Sequence, residues 1–278
     1  MSPGFSLKRP LTILLVITVA AIMAYLMLVP DISGLKKKNP KKTALMEYRY
    51  EEWKKKGKKY RITQIWVPLS SISPYVIKAV LIAEDDKFWS HEGFDYEAIK
   101  KAVEKDIKAG KFKFGGSTIS QQLVKNLYLS PAKSPLRKLR EAIITWRMEK
   151  VLSKRRILTI YLNIAEWGEG IFGIEAAARH YYGKSASELN PEESARLAAV
   201  LPNPRKFNPL GNSRYVQHRS SLIYSIMVRR GIVVPEYEEV IEEEDKDESI
   251  EEPAQKENPG EASPPDELSP KTGSSVSQ

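Results

Sequence analysis

The sequence predicts a mainly α-helical protein, and three observations carry that expectation. From Ser73 onward the apolar residues recur at helical rather than alternating spacing. Helix starts are marked by a capping residue followed by proline at Ser73-Pro74, Ser134-Pro135 and Asn190-Pro191. One run, residues 61–67, reads as a strand, with β-forming side chains bounded by Pro68 and serines.

Taken in order, residues 1–10 are a short start and residues 11–29 carry no charge and are nearly all apolar. That length matches the roughly 20 residues that cross a bilayer as a helix. A cleaved signal peptide with Lys8 and Arg9 as its basic start is the alternative. The run exceeds the roughly 7–15 apolar residues of such a peptide and no small-x-small cleavage site follows, so a retained transmembrane helix is expected. Lys8 and Arg9 flank one side, and Lys36, Lys37, Lys38, Lys41 and Lys42 the other. Counted alone, those charges leave the large domain in the cytoplasm.

Residues 30–60 read as a lysine-rich connector, extended or partly helical, and residues 61–235 as the folded domain. A helix follows Pro74, with Val76, Ala79, Val80 and Ala83 at helical spacing. A second runs from about residue 95 to 109 and stops at Gly110. A third is opened by Gly115-Gly116 and ends near Pro131. A fourth runs from Pro135 to about residue 152, with Leu139, Ile143, Trp146 and Val151 on its apolar side. Further helices are expected at 157–165, at 173–182 before Gly183, after the capping box Asn190-Pro191-Glu192-Glu193, and at 214–230.

Residues 236–278 hold 15 acidic and 3 basic side chains and no apolar period, and read as a disordered acidic tail. The chain's net charge is +9 and the tail's −12, which leaves +21 on residues 1–235. Such a surface suits an anionic partner: a phosphorylated ligand, a membrane or nucleic acid. There is no cysteine, which excludes disulfides and thiolate metal sites, and His91, His180 and His218 are the only imidazoles. The 278 residues are 42% apolar, enough for a sizeable core.

Chemistry concentrates in three stretches. In Gly115-Gly116-Ser117-Thr118-Ile119-Ser120-Gln121-Gln122-Leu123-Val124-Lys125-Asn126, Ser117 and Thr118 can cap a helix, and amides and a lysine line its faces. A helix N-terminus with a lysine farther along suits an anionic, oxygen-rich ligand, although a well-capped surface helix has the same residues. Glu84-Asp85-Asp86 sits where a helix ends, against the helix dipole, and is either a solvated acidic turn or a site. Apolar neighbours on both sides bring partial burial of Glu84, whose pKa desolvation then raises, as suits a general base or acid. Glu141 shares a helix face with Arg137 and Lys138, as an ordinary ion pair or, with Lys125 and Lys133, as part of a cationic wall. Cations that hold a leaving phosphate beside a carboxylate that takes a proton fit transfer of a sugar from a phosphorylated donor.

These stretches resemble the ordered motifs of the peptidoglycan glycosyltransferases, glycosyltransferase family 51. The first three are Glu84-Asp85-x-x-Phe88-x-x-His91-x-Gly93, Gly115-Gly116-Ser117-Thr118-Ile119-x-Gln121-Gln122-x-x-Lys125-Asn126 and Arg137-Lys138-x-x-Glu141. Lys154-Arg155-Arg156-Ile157-Leu158-x-x-Tyr161-Leu162-Asn163 resembles the fourth, and Gly168-x-Gly170-x-x-Gly173 through Tyr181-Tyr182-Gly183 the fifth. Thr159 stands where the family's fourth motif carries a glutamate thought to support the fold.

The resemblance implies a lysozyme-like helical domain on one transmembrane helix, a monofunctional enzyme of the bacterial inner membrane. It places the domain outside the cell, against the charge count. The substrates implied are lipid II and the growing glycan strand, both carried on undecaprenyl pyrophosphate. Nucleic acid is not implied; membrane and cell-wall synthesis proteins are. Glu84 is the implied general base and Glu141 an orienting or stabilising carboxylate. Lys125, Lys133, Arg137, Lys138 and Lys154 are expected to hold pyrophosphate, with His91, Ser117, Thr118, Gln121, Gln122 and Asn126 around the substrate. Mg2+ or Mn2+ is implied as well, without any metal-ligand spacing in the sequence.

Three short patterns count as chance matches. Gly168-Glu169-Gly170-Ile171-Phe172-Gly173 imitates a dinucleotide loop outside any βαβ unit. Ser130-Pro131-Ala132-Lys133 and Lys271-Thr272-Gly273 imitate parts of a transpeptidase, with no Ser-Asp-Asn between them. The rival readings are a hydrolase of the same polymer, which needs no pyrophosphate-binding wall, and a non-enzymatic lipid-binding scaffold.

Overall fold

The computed structural model describes residues 8–59, 61–109, 116–131 and 134–234, with the side chains of 8–10 and 105–109 left aside. Lys133, Gly115 and the acidic tail expected at 236–278 lie outside the described residues. The folded unit is mainly helical, with one small sheet, and this fits the lysozyme-like arrangement implied above.

The elements are α1 Lys8–Met27, α2 Ala44–Lys55, β1 Thr63–Gln64, α3 Pro74–Glu84, α4 Tyr96–Ala109, α5 Ile119–Tyr128 and α6 Pro135–Val151. They continue with α7 Lys154–Ile164, β2 Glu166–Gly168, β3 Ile171–Phe172, α8 Ile174–Tyr182, α9 Pro191–Val200 and α10 Arg214–Arg229. The expected caps form. Ser73 accepts from the amide of Tyr75, Ser134 from Arg137, and Asn190 closes a capping box with Glu193.

Two groups of helices make the core. α3, α9 and α10 pack on one another, while α5 packs against α2, α6 and α7. Val76, Ala79 and Val80 of α3, Leu123 and Val124 of α5, Ile157, Leu158 and Ile160 of α7 and Leu197 to Val200 of α9 are fully buried. Each of the buried Val, Leu and Ile side chains stabilises the fold by roughly 1.5–3 kcal/mol when removed from water.

Several expectations change. The strand expected over 61–67 is reduced to β1, which pairs in parallel with β3, and β3 pairs antiparallel with β2. Asn163 replaces the missing ladder: its amide accepts from the Val67 amide and donates to the Val67 carbonyl, both at 2.9 Å. The glycine pattern spans β2, the β2–β3 turn and β3, with Gly170 in the turn at φ 79° and Gly173 at the N-cap of α8 at φ 83°. The connector is not all linker. Thr43 caps α2, and Met46 and Trp53 are buried. Arg156, in the fourth motif, donates to the carbonyls of Leu35 and Lys38 at 2.7 and 2.9 Å and so fixes the path of residues 35–38.

The face of α6 is also different. Glu141, Ile144, Thr145 and Met148 are the buried residues, whereas Leu139 and Trp146, expected inside, are 50% and 58% exposed. The helix is turned so that Glu141 points inward with its cations, and the apolar residues expected to face the core pay the difference. Among the described residues no helix is long and apolar enough to cross a membrane. The transmembrane helix expected at 11–29 is therefore not established by the fold. In its place stands α1, whose large apolar side chains from Leu11 to Met23 are mostly exposed, and which packs on α6 near its end, where Arg140 lies over the Tyr25 ring at 4.4 Å.

Gly173 is tightly constrained by backbone. At φ 83° a Cβ would lie 2.7 Å from the Asn163 carbonyl oxygen, a backbone atom that cannot move aside. Gly173→Ala is expected to cost about 2 kcal/mol or more. Thermal unfolding should show it as a fall of roughly 4–8 °C in Tm.

Candidate active site

Glu84 ends α3 and lies where both helix groups meet. Gln122 of α5 donates to its Oε2 at 2.8 Å, and the Tyr161 hydroxyl of α7 donates to Gln122 Oε1 at 3.1 Å. Arg219 of α10 reaches Glu84 Oε1 at 3.5 Å and donates to the Ala83 carbonyl at 2.9 Å. The Glu84 side chain is 11% exposed, and burial raises its pKa above the ordinary carboxylate value. Gln122, Arg219 and Lys125 oppose that rise, and Asp85 adds to it. The result is a carboxylate open on one side, oriented on the other, and readier than usual to accept a proton.

Asp85 has a different task. It is buried, its Oδ2 accepts the Ile119 amide at 2.9 Å and its Oδ1 meets His91 Nε2 at 2.8 Å. The Gly93 amide donates to His91 Nδ1 at 3.1 Å, which assigns the proton to Nε2. Asp85 thus ties the loop after α3 to the N-terminus of α5. His91 is placed here as a strut beneath the loop.

The Gly-Gly-Ser-Thr stretch is read more finely by the structure. Gly116 has φ 135°, and α5 begins only at Ile119. Thr118 is the N-cap: it accepts from the Gln121 amide, and the Gln121 side chain accepts from the Thr118 amide, a complete capping box. Thr118 also donates to the Gly93 carbonyl at 2.7 Å. Gln121 and Thr118 are buried and spend these groups on the helix start, while Gln122 turns to Glu84. Asn126 is buried one turn after Gln122.

On α6, Glu141 is 2% exposed, accepts from Arg137 Nη1 at 2.8 Å and pairs with Lys138, whose Nζ also lies 3.4 Å from the Ser117 hydroxyl. This pair links α6 to the start of α5. Lys125 makes no ion pair or hydrogen bond among the described residues, and it feels the charge of both Glu141 and Glu84. Its side chain is exposed by area yet crowded by surrounding protein, and that crowding holds the ammonium below its usual pKa. Exposure together with crowding is the signature of a cleft wall.

Lys154 has partners of its own. It pairs with Glu149 at 2.8 Å and lies 4.6 Å over the Phe88 ring, with Ser120 donating to the same Glu149 carboxylate. Thr159 donates back to the Arg155 carbonyl at 2.7 Å within its own helix and takes no ion pair in place of a glutamate. A pocket of about 390 Å³ lies elsewhere, among Arg61, Glu169, His180, Arg205 and Phe207, and none of the Glu84 group lines it.

Sequence reasoning missed Arg219 and the Tyr161 hydroxyl as partners of the Glu84 arrangement. Arg219 lies in a helix far along the chain, whose inward face is marked by the buried Val216, Ser220, Ile223 and Met227. For Mg2+ or Mn2+ the donor set does not fit: among the described residues no group of three His, Asp or Glu side chains could hold a metal. Asp85 and Glu141 are already engaged by protein donors.

The sequence profile described as transglycosylase matches residues 52–228, which contain all of these groups. A biosynthetic peptidoglycan transglycosylase of Nitrosospira multiformis is 50% identical, over 70% of this chain and 84% of that protein. One of Dechloromonas aromatica is 49% identical, over 68% and 82%. One of Azoarcus sp. is 52% identical, over 65% and 78%. On the match of profile and relatives alike, the chain belongs to the transglycosylase family.

Proposed function

We propose that this chain is a peptidoglycan glycosyltransferase that polymerises lipid II into β-1,4-linked glycan strands and releases undecaprenyl pyrophosphate. Glu84 takes the proton from the 4-hydroxyl of an acceptor N-acetylglucosamine. That oxygen attacks the anomeric carbon of the donor muramyl unit from the face opposite its pyrophosphate. The carbon–oxygen bond to pyrophosphate breaks as the new bond forms, and the configuration inverts. Lys125, Arg137 and Lys138 meet the charge that grows on the leaving group, and Glu141 holds Arg137 and Lys138 in place. Mg2+ or Mn2+, if bound, would be held by the substrate's phosphate oxygens and would offset their charge.

One observation carries this reading: the Lys125 ammonium, which has no ion-pair partner among the described residues, lies within electrostatic reach of both Glu84 and Glu141. A hydrolase of a neutral glycosidic bond has no need of that cation. A scaffold has no need of a carboxylate with a raised pKa.

The reading extends to the membrane. α1 is proposed as the anchor, supported by its exposed apolar side chains and by the exposed Leu139 and Trp146 on α6, the helix it packs against. The domain then lies on the outer face of the bacterial inner membrane, where the lipid-linked substrates are confined to the same leaflet. The test is the purified full-length protein with labelled lipid II in vesicles. Long strands that a muramidase digests are expected; release of muropeptides from finished wall would establish the hydrolase instead.

A further inference from the structure

We infer that Arg219 is a positioning residue for the base: it sets the Oε1 edge of the Glu84 carboxylate while Gln122 sets the Oε2 edge. The inference rests on the reading of Glu84 as the base. The guanidinium is fixed independently of the carboxylate, because Nη2 donates to the Ala83 carbonyl at 2.9 Å. That carbonyl belongs to the last turn of α3, whose acceptors have no partner within the helix. From this fixed point the same nitrogen lies 3.5 Å from Glu84 Oε1. The side chains are 30% and 11% exposed, so the pair is shielded more than a surface ion pair. Arg219 Nε is buried with no hydrogen-bond partner among the described residues, so the group holds a spare donor beside the base.

The fold explains how α10 delivers it. Ile223 and Met227 bury one stripe of α10 against the body, and Arg219 continues that stripe by one turn to the end of α3. Two tethers from different helices, Gln122 on α5 and Arg219 on α10, then fix the plane of one carboxylate. Each uses a single oxygen, which leaves a lone pair for the substrate proton.

Four charged or titratable groups face Glu84: Arg219 from α10, Lys125 from α5, Tyr161 from α7 and its neighbour Asp85. Arg219 and Lys125 favour the ionised base, and Asp85 disfavours it. Arginine stays charged throughout the working pH range, so its effect is constant. Lys125 is itself held below the usual lysine pKa by desolvation.

The experiment measures kcat/KM against pH for lipid II polymerisation by the full-length enzyme in vesicles, with R219M, R219K and E84Q alongside wild type. R219M is expected to move the acidic limb upward by about one pH unit, and R219K to return it near the wild-type position. Should R219M fail to fold, R219Q, which can still donate to the Ala83 carbonyl, reads the same limb. A limb that stays in place in a folded, charge-free variant, with activity lowered equally at every pH, overturns the inference. So does an R219K profile that matches R219M. The E84Q arm separates the two readings. An active E84Q removes Glu84 as the base, whereas an inactive E84Q with an unmoved R219M limb removes only the role of Arg219.

Discussion

Glu84→Gln is expected to lower lipid II polymerisation by at least about 10³-fold while leaving the domain folded, within the 10²–10⁴-fold range of a positioned general base. The amide keeps the shape and can still accept from Gln122 through its remaining oxygen. It cannot take a proton from the acceptor hydroxyl. The pH dependence follows from the direction of the shift. Burial lifts the Glu84 pKa above the ordinary 4.5, so the ionised base is disfavoured in the folded state. Any stability from this group is fully present below the unfolded pKa and is lost as pH rises through the folded one. Activity runs the opposite way, since only the ionised carboxylate is a base: turnover falls as pH drops through the raised pKa. At neutral pH the wild type therefore carries a cost that Glu84→Gln lacks. The variant's Tm should equal or exceed that of wild type, as scanning calorimetry can check. A variant that loses activity together with several degrees of Tm would point to a structural role for Glu84.

Much of this arrangement was legible in residue order. Caps, prolines and helical periods place α3, α5, α6 and α9 within a few residues, because each is a local signal. Glu84, Gln122, Lys125, Arg137, Lys138 and Glu141 come together as the motifs suggest. Three things were hidden, each for a physical reason. The division of labour between Gln121 and Gln122 depends on which amide the N-cap uses, and the shared glutamine identity conceals it. The inward face of α6 is set by a buried carboxylate and its cations, so an apolar count turns the helix the wrong way. The Glu84–Arg219 contact spans 135 positions, and no local pattern announces a pairing at that range.

Glu141→Ala is expected to lower turnover about 10²-fold with little rise in KM. Glu141 accepts from Arg137 and pairs with Lys138, and Lys138 in turn meets Ser117 at the start of α5. Removing it frees two cations that a pyrophosphate can still attract, so ground-state binding survives. Their orientation toward the charge that develops as the leaving group departs is lost, and that term belongs to kcat. Stability should fall moderately. Losing one partner of a fully buried ion pair costs about 3–5 kcal/mol. Here the Arg137 and Lys138 side chains are 16% and 39% exposed and can regain water, so about 1–2 kcal/mol is expected. Glu141→Gln keeps the volume and one acceptor, and should recover most of the lost Tm but little of the rate. That split between stability and turnover distinguishes a carboxylate that organises pyrophosphate-binding cations from one that merely closes a helix-surface ion pair. A Glu141→Ala enzyme that turns over at near wild-type rate would make Glu141 a partner in an ordinary helix-surface ion pair and leave Lys125 as the cation that meets the leaving group.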